Sequence, residues 1–190
     1  MKRLAVFFAE GFEDIEALTV VDFCRRAGIE VDTISIREEK EVVSAHNVTI
    51  VVDKTIGEVQ SSDYDGMYLP GGLPGATNLA ESPEVLDILR EAKEKDLYIG
   101  AICAAPLVLD TLGYLEDGKF ICYPGFEENL KAKPDGTRTS IENGKILTGM
   151  GPAFAMEFAF LWIEKLMGEE KAEEIKEETL YSILMEKKEK

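Results

Sequence analysis

Ile99-Gly100-Ala101-Ile102-Cys103-Ala104-Ala105-Pro106 decides how this chain is read. Leu97 to Ile102 is apolar, of strand length and without alternation, which marks a strand buried on both faces. Pro106 then opens an apolar segment that runs to Leu112, and Gly113 stops it, so a helix follows the strand almost at once. Such a strand-to-helix turn lifts its central side chain above the sheet edge, the layout of a nucleophile elbow. Ala101, Ala104 and Ala105 are small, as close backbone packing at an elbow requires. Helix amides and the helix dipole would favour a thiolate at Cys103. The competing reading makes Cys103 a small buried hydrophobe, as free cysteines often are.

Outward from this segment the sequence alternates between two periods. Leu4 to Ala9 is an apolar strand. Glu13 to Ala27 has helix spacing, with Val20, Phe23, Cys24 and Ala27 on one face and Gly28 as its stop. Val31–Ile36 and Val48–Val52 read as strands, and Met67-Tyr68-Leu69 is a short one ending in Pro70-Gly71-Gly72. Ser82-Pro83 is a cap followed by proline at the first helical position, opening a helix to about Lys95. Thr137–Ile141, Asn143-Gly144 and Lys145–Thr148 form a hairpin pattern. Pro152 opens an apolar helix to about Met167, and after Gly168 a Glu/Lys-rich helix runs to about Met185 with Ile175 on its inner face. Strands alternating with helices predict a single α/β domain over residues 1–190, with a mostly parallel sheet and helices on both faces. Ligands of such sheets bind beyond the carboxyl ends of the strands. The loops after Ala9, Leu69, Ile102 and Thr148 are therefore the candidate site.

The loop after Ala9 is Glu10-Gly11-Phe12-Glu13-Asp14-Ile15-Glu16. Acids in a first helical turn complement the macrodipole, which accounts for Glu13 and Asp14. Glu16 lies a turn further in and shares a face with Glu13. A carboxylic acid beside a thiolate would be protonated and could donate a hydrogen bond to sulfur. In the loop after Leu69, Gly71 and Gly72 can turn backbone N–H groups into a pocket as an oxyanion hole, or serve only as a tight turn. Neither this loop nor Gly149-Met150-Gly151-Pro152 has the spacing of a dinucleotide fingerprint. The lone His46 sits in a polar stretch, no Cys/His cluster has zinc spacing, and no metal is expected. His46 reads as a surface or interface residue. Cys24 and Cys122 read as structural, with Cys122 and Tyr123 on opposite faces of a strand-like segment.

The 190 residues carry 21 Lys and Arg against 37 Asp and Glu, a net charge of −16. Such a surface repels phosphate and argues against nucleic acid or an anionic membrane as partner. The three separated cysteines, without a C-x-x-C pair, fit free thiols in a reducing cytoplasm. No apolar run reaches the ~20 residues that span a bilayer.

Four segments together resemble the ThiJ/PfpI superfamily, in its Parkinson-disease protein deglycase (DJ-one) branch. They are Ala9–Glu16, Leu69–Gly72, Ala101–Pro106 and Leu147–Pro152; Arg25-Arg26-Ala27-Gly28 also looks like the family. The resemblance covers almost the whole sequence. It implies a flavodoxin-like three-layer sandwich, related to the class I glutamine amidotransferase domain, and a homodimer. It matches Cys103 to the family's oxidation-sensitive nucleophile and Glu16 to the acid that bonds its sulfur. Gly72 and Ala104 match the backbone donors of the pocket. Two positions depart: Tyr123 stands where human-type members have a His, and His46 where they have an Arg near the dimer interface.

The implied function is a cofactor-free, cysteine-dependent enzyme of reactive aldehydes. It would convert methylglyoxal to lactate, remove early glycation adducts from proteins, or both. The other reading is a redox sensor or stress-linked chaperone that uses oxidation of Cys103 without turnover. Peptidase and glutamine amidotransferase chemistry are not expected. Each pairs its elbow cysteine with a His, whereas Ala104 follows Cys103 and Tyr123 replaces the other candidate.

Overall fold

Strand β1 (Arg3–Phe8) sends Leu4, Val6 and Phe8 into one core and Ala5 and Phe7 into another. A strand so placed needs a helix layer on each side. The computed structural model describes residues 1–188 and supplies both layers. After β1 come α1 (Asp14–Arg26), β2 (Glu30–Ser35), β3 (Glu41–Val43), β4 (Thr49–Val51), β5 (Lys54–Thr55) and β6 (Gly66–Leu69). Next are α2 (Gly75–Glu81), α3 (Pro83–Glu94), β7 (Tyr98–Ile102), α4 (Pro106–Thr111), β8 (Ser140–Asn143) and β9 (Ile146–Gly149). Helices α5 (Ala155–Met167), α6 (Glu169–Glu178) and α7 (Tyr181–Lys188) follow to the end of the described residues.

Seven strands make one sheet in the order β5-β2-β1-β6-β7-β9-β8. All neighbours are parallel except β8 on β9. Helices α1, α5 and α6 cover one face; α2, α3 and α4 cover the other. This is the flavodoxin-like sandwich that the resemblance implies. Strand order reverses between β1 and β6, and such a switch point opens a crevice at the carboxyl edge. Among the described residues no helix is long and apolar enough to cross a membrane.

Local chemistry explains most boundaries. Glu13 caps α1, its Oε2 accepting the Glu16 N–H at 2.8 Å. Ser82 caps α3 with Pro83 in its first turn. Trp162 of α5 is fully buried and lies against two positions without a side chain, Gly66 of β6 and Gly100 of β7. A Cβ at either would collide with the indole, at 2.6 Å for Gly66. The central strands thus admit the largest side chain of the helix layer, and Tyr68 and Phe158 pack around it.

The structure corrects several expectations. Thr49–Val51 is a strand, but it pairs antiparallel with the unforeseen β3 in a hairpin outside the main sheet. A three-residue strand entered from Glu38-Glu39-Lys40-Glu41 carries no readable period. Helix α2 likewise gives no sequence signal, because Gly75 opens it with no capping side chain before it. The long C-terminal helix is two. Leu180 adopts φ +60°, and Tyr181 then packs on Phe160 while its hydroxyl reaches Glu157 at 3.1 Å. Pro152 begins a short 3-10 turn (Pro152–Phe154) ahead of α5. The β8–β9 turn lies at Gly144-Lys145, one residue later than the Asn-Gly pattern suggests, because Asn143 pairs with Ile146. Cys122 and Tyr123 are not in a strand, although one is buried and the other half-exposed.

Trp162→Ala should lower the unfolding free energy by about 3–5 kcal/mol, the usual cost of deleting a buried indole. Trp162→Phe should lose much less, since the indole Nε1 is buried without a partner and its removal is no loss. Urea denaturation of the two variants checks this.

Candidate active site

Three loops meet at the carboxyl edge beside the switch point. The β1–α1 and β6–α2 loops are tied by backbone bonds, Glu13 N–H to Gly71 C=O at 2.9 Å and Gly75 N–H to Gly11 C=O at 3.3 Å. Asn78 adds a bond from Nδ2 to the Glu10 carbonyl at 2.8 Å. The third loop is the elbow. Cys103 adopts φ +62°, a left-handed conformation that costs a residue with a Cβ about 1–3 kcal/mol. It is pinned there from both sides: its N–H donates to Gly149 C=O and its C=O accepts from Tyr123 N–H, each at 2.9 Å. The sharp turn expected at Cys103 is therefore present. Helix α4 behind it has six residues, so the donors that reach the sulfur are two individual amides, those of Gly72 and Ala104.

Glu16 has no exposed surface. It hangs from the inner face of α1, where its backbone carbonyl accepts the Tyr68 hydroxyl at 3.0 Å. Its Oε2 accepts the Gly71 N–H at 2.9 Å, and its carboxyl meets the Cys103 thiol. Oε1 is enclosed with no nitrogen or oxygen partner. Gly71 cannot carry a side chain: a Cβ would lie 2.5 Å from Glu16 Oε2 and 2.6 Å from Cys103 Cβ. Gly72, at φ +90°, has its Cβ direction blocked by Glu13 N and Gly11 O at 2.5 Å. Both glycines are thus required by close approach as well as by the turn.

Burial drives the Glu16 pKa up to about 7, with the charge of Glu13 adding and the Cys103 and Gly71 hydrogen bonds opposing. Burial also raises the Cys103 thiol, and an ionised Glu16 raises it further, while the Gly72 and Ala104 amides pull it down. The acidic thiol expected from the elbow is therefore not a property of sulfur alone. The pair holds one negative charge readily and a second only at cost, so its titration belongs to both residues. Burial raises Cys24 and Cys122 as well, the latter to about 11, and neither has a carboxyl partner with which to share a proton.

The cavity above the sulfur is about 280 Å³ and is lined by Cys103, Ala104, Gly72, Leu73 and Tyr123, with Phe126, Glu13, Ala45 and His46. Cys103, Gly72, Ala104 and Tyr123 thus line one cavity, with Gly71 and Glu16 behind the sulfur. Sequence reasoning missed the far rim. His46 is exposed, as expected, but it stands at the cavity mouth with Nδ1 2.8 Å from Asp14 Oδ2. No local signal reveals this, because the β3–β4 hairpin that carries it is itself not readable.

A left-handed cysteine at the carboxyl edge of a flavodoxin-like sheet, backed by a buried carboxyl, defines a cysteine-elbow α/β protein. The protein belongs to the DJ-1/PfpI family, which it matches over residues 2–165. It is 34% identical over 180 residues to the Parkinson disease protein 7 homolog of Danio rerio, spanning 92% of this chain and 95% of that one. It is 35% identical over 176 residues to Protein DJ-1 homolog B of Arabidopsis thaliana, where 92% of this sequence matches 40% of the plant protein's length. The glutathione-independent glyoxalase DJR-1.2 of Caenorhabditis elegans is 31% identical over 166 residues, 85% of this chain and 87% of the worm protein. The structure of oxidized Toxoplasma gondii DJ-1 superimposes with a TM-score of 0.89 at 35% identity, covering 95% of this protein and 98% of that one.

Iodoacetamide alkylation should select Cys103 over Cys24 and Cys122 at pH 6–8, because its sulfur alone of the three meets two amide N–H groups and a carboxyl that can donate to it. Glu16→Gln retains a donor to sulfur. Glu16→Leu removes it and should move the Cys103 profile about one to two pH units more alkaline than in the Gln variant, the equivalent of one charge-assisted hydrogen bond. Mass spectrometry of each labelled cysteine gives the profiles.

Proposed function

We propose that this protein is a cofactor-free, cysteine-dependent enzyme of small reactive aldehydes, converting methylglyoxal to lactate and acting on the related adducts of glycated proteins. One observation carries the reading: a thiol and two amide N–H groups face one cavity of small-molecule size, and a buried carboxyl whose pKa is raised to about 7 meets the sulfur from beneath. The worm relative's description as a glutathione-independent glyoxalase supports it.

The residues suffice for the steps. The Cys103 sulfur bonds to the aldehyde carbon, and the carbonyl oxygen takes the Glu16 proton while Gly72 and Ala104 N–H groups steady its charge. Glu16, now a carboxylate, removes the proton from that carbon and returns it to the adjacent ketone carbon, while the hydroxyl proton on the former aldehyde carbon passes to the ketone oxygen. The aldehyde carbon is thereby oxidised to a thioester, the ketone is reduced to an alcohol, and water releases lactate. An anionic Glu16 would block the first step, which is why its raised pKa supports this role. The cavity walls of Leu73, Ala45 and Phe126 suit a short apolar substituent.

Peptide cleavage is not part of this reading, since Ala104 and Tyr123, at the two positions where a cysteine peptidase of this type would carry its His, supply no imidazole beside the sulfur. Oxidation is the second reading. Cys103 is the most accessible of the three thiols, and a neutral Glu16 would donate to a sulfinate oxygen after peroxide attack.

A screen of aldehydes with wild type and Cys103→Ser separates the readings. The enzyme reading expects lactate from methylglyoxal, with loss of at least about a hundredfold in the variant. No turnover, together with sulfinic acid on Cys103 under mild peroxide, supports the sensor. The same preparation tests assembly. The family resemblance and the exposed Ile15 and Leu18 of α1 and Val48 and Val51 of the hairpin favour a homodimer. Sedimentation at micromolar concentration should give twice the 21.1 kDa protomer mass.

A further inference from the structure

The hairpin β3–β4 pairs with nothing in the main sheet, yet it is tightly hung. Gly11 N–H donates to Val43 C=O and Ala45 N–H to Phe12 C=O, each at 2.8 Å, while Val43 N–H reaches Glu10 Oε2 at 3.2 Å. In its turn the buried Ser44 Oγ accepts the N–H groups of His46 and Val48 at 3.2 and 3.1 Å. The arrangement delivers one functional side chain, His46, to the mouth of the Cys103 cavity.

There His46 meets Asp14 through Nδ1. Burial pushes Asp14 up, but hydrogen bonds with Ser44 and His46 outweigh it and keep its pKa below the ordinary carboxylate value. An ionised carboxylate can only accept, so Nδ1 carries the hydrogen and Nε2 keeps the lone pair of the neutral ring. The Asp14 hydrogen bond, then the charges of Asp14 and Glu13, raise the imidazole pKa. The titratable groups around the ring are Asp14 and Glu13 from the start of α1 and Cys103 from the elbow, with Glu16 below. The proton-transfer group at the floor, Glu16, has no exposed surface, so it has no access to bulk water.

We propose that His46, oriented by Asp14, is the general base for the water-dependent half of the reaction, the release of the acyl group from Cys103. This rests on the enzyme reading above. The water oxygen bonds to the thioester carbon and its proton passes to Nε2. The carbon–sulfur bond breaks with its electron pair on Cys103, and the imidazolium proton returns to the sulfur or to solvent. Two acid–base groups then divide the work: Glu16 serves the closed, water-free rearrangement, and His46 the open hydrolysis.

The test acylates Cys103 directly with p-nitrophenyl acetate and follows loss of the acetyl group by mass spectrometry, so it needs no turnover of methylglyoxal. Cys103→Ser identifies acetyl groups bound elsewhere. His46→Gln should slow deacylation about a hundredfold, within the usual range for one acid–base group, and Asp14→Asn should slow it less. Iodoacetamide alkylation of Cys103 should stay within about twofold of wild type in both variants, which shows that fold and nucleophile persist. Added imidazole should restore deacylation in His46→Ala, and hydroxylamine should release the acetyl group at equal rates from wild type and variant. Deacylation unchanged in His46→Gln overturns the role of His46, whatever methylglyoxal does. Wild type that deacylates through His46 but makes no lactate overturns the substrate assignment and leaves the base in place.

Discussion

A buried carboxyl and a thiol share a space that tolerates one negative charge, and the rest of the site is arranged around that limit. Burial of Glu16 is the largest effect, since it raises the carboxyl toward neutrality and makes it a donor at ordinary pH. The placement demands an accurate neighbour. Gly71 supplies an N–H to one oxygen and, lacking a side chain, lets sulfur and carboxyl approach. The left-handed turn at Cys103 supplies the other half, because an extended strand would carry the side chain past the pocket. The strain of that turn is held by the bonds to Gly149 and Tyr123, so the elbow depends on β9 and on the loop after α4 as well as on its own strand.

The fold follows from the same sheet that bears the site. Strands with apolar side chains on both faces demand two helix layers, and crossing from the edge strand β5 back to β6 places the crevice between β1 and its new neighbour. Glu16 arrives on the helix after β1, the glycines on the loop after β6, and the cysteine on the turn after β7. Three adjacent strands thus each contribute one component, and the packing of Trp162 against Gly66 and Gly100 fixes two of those strands relative to α5.

What is legible in the sequence is what local chemistry encodes. Continuous apolar runs mark β1 and β7, Ser82-Pro83 marks α3, and a cysteine between a buried strand and a proline marks the elbow. The position of Glu16 is legible as helix spacing, but its complete burial is not, because nothing in Glu13-Asp14-Ile15-Glu16 tells which carboxylate faces inward. Strand β4 is legible as the β-branched Val48–Val52, but its partner β3, and with it the hairpin, escapes for a related reason. Its strands are short, and its stability comes from backbone bonds to Gly11 and Phe12, distant in sequence and silent as side chains. His46 therefore reads as a surface residue, correct as to exposure but without its cavity. The thiol's acidity cannot be read from the elbow either, since it depends on the charge state of a residue 87 positions away (103 − 16).

The rim differs in kind from the floor in how it is held. Position 46 is set by the backbone bonds of the hairpin, and position 123 by its own N–H on the Cys103 carbonyl. Each side chain adds a single tie to a neighbour, His46 to Asp14 and the Tyr123 ring against Gly151, and among the described residues no backbone bond runs through either side chain. The floor has no such freedom: Gly71 admits no Cβ, and Glu16 and Cys103 are joined to each other. The architecture therefore separates a floor fixed by close packing from a lip held by its backbone bonds. Single substitutions at the lip could redirect which molecules enter, how quickly they leave, or what pH suits them, with little penalty in folding. A scaffold partitioned in this way is well suited to diversification, because new specificities can be sampled without rebuilding the reactive centre.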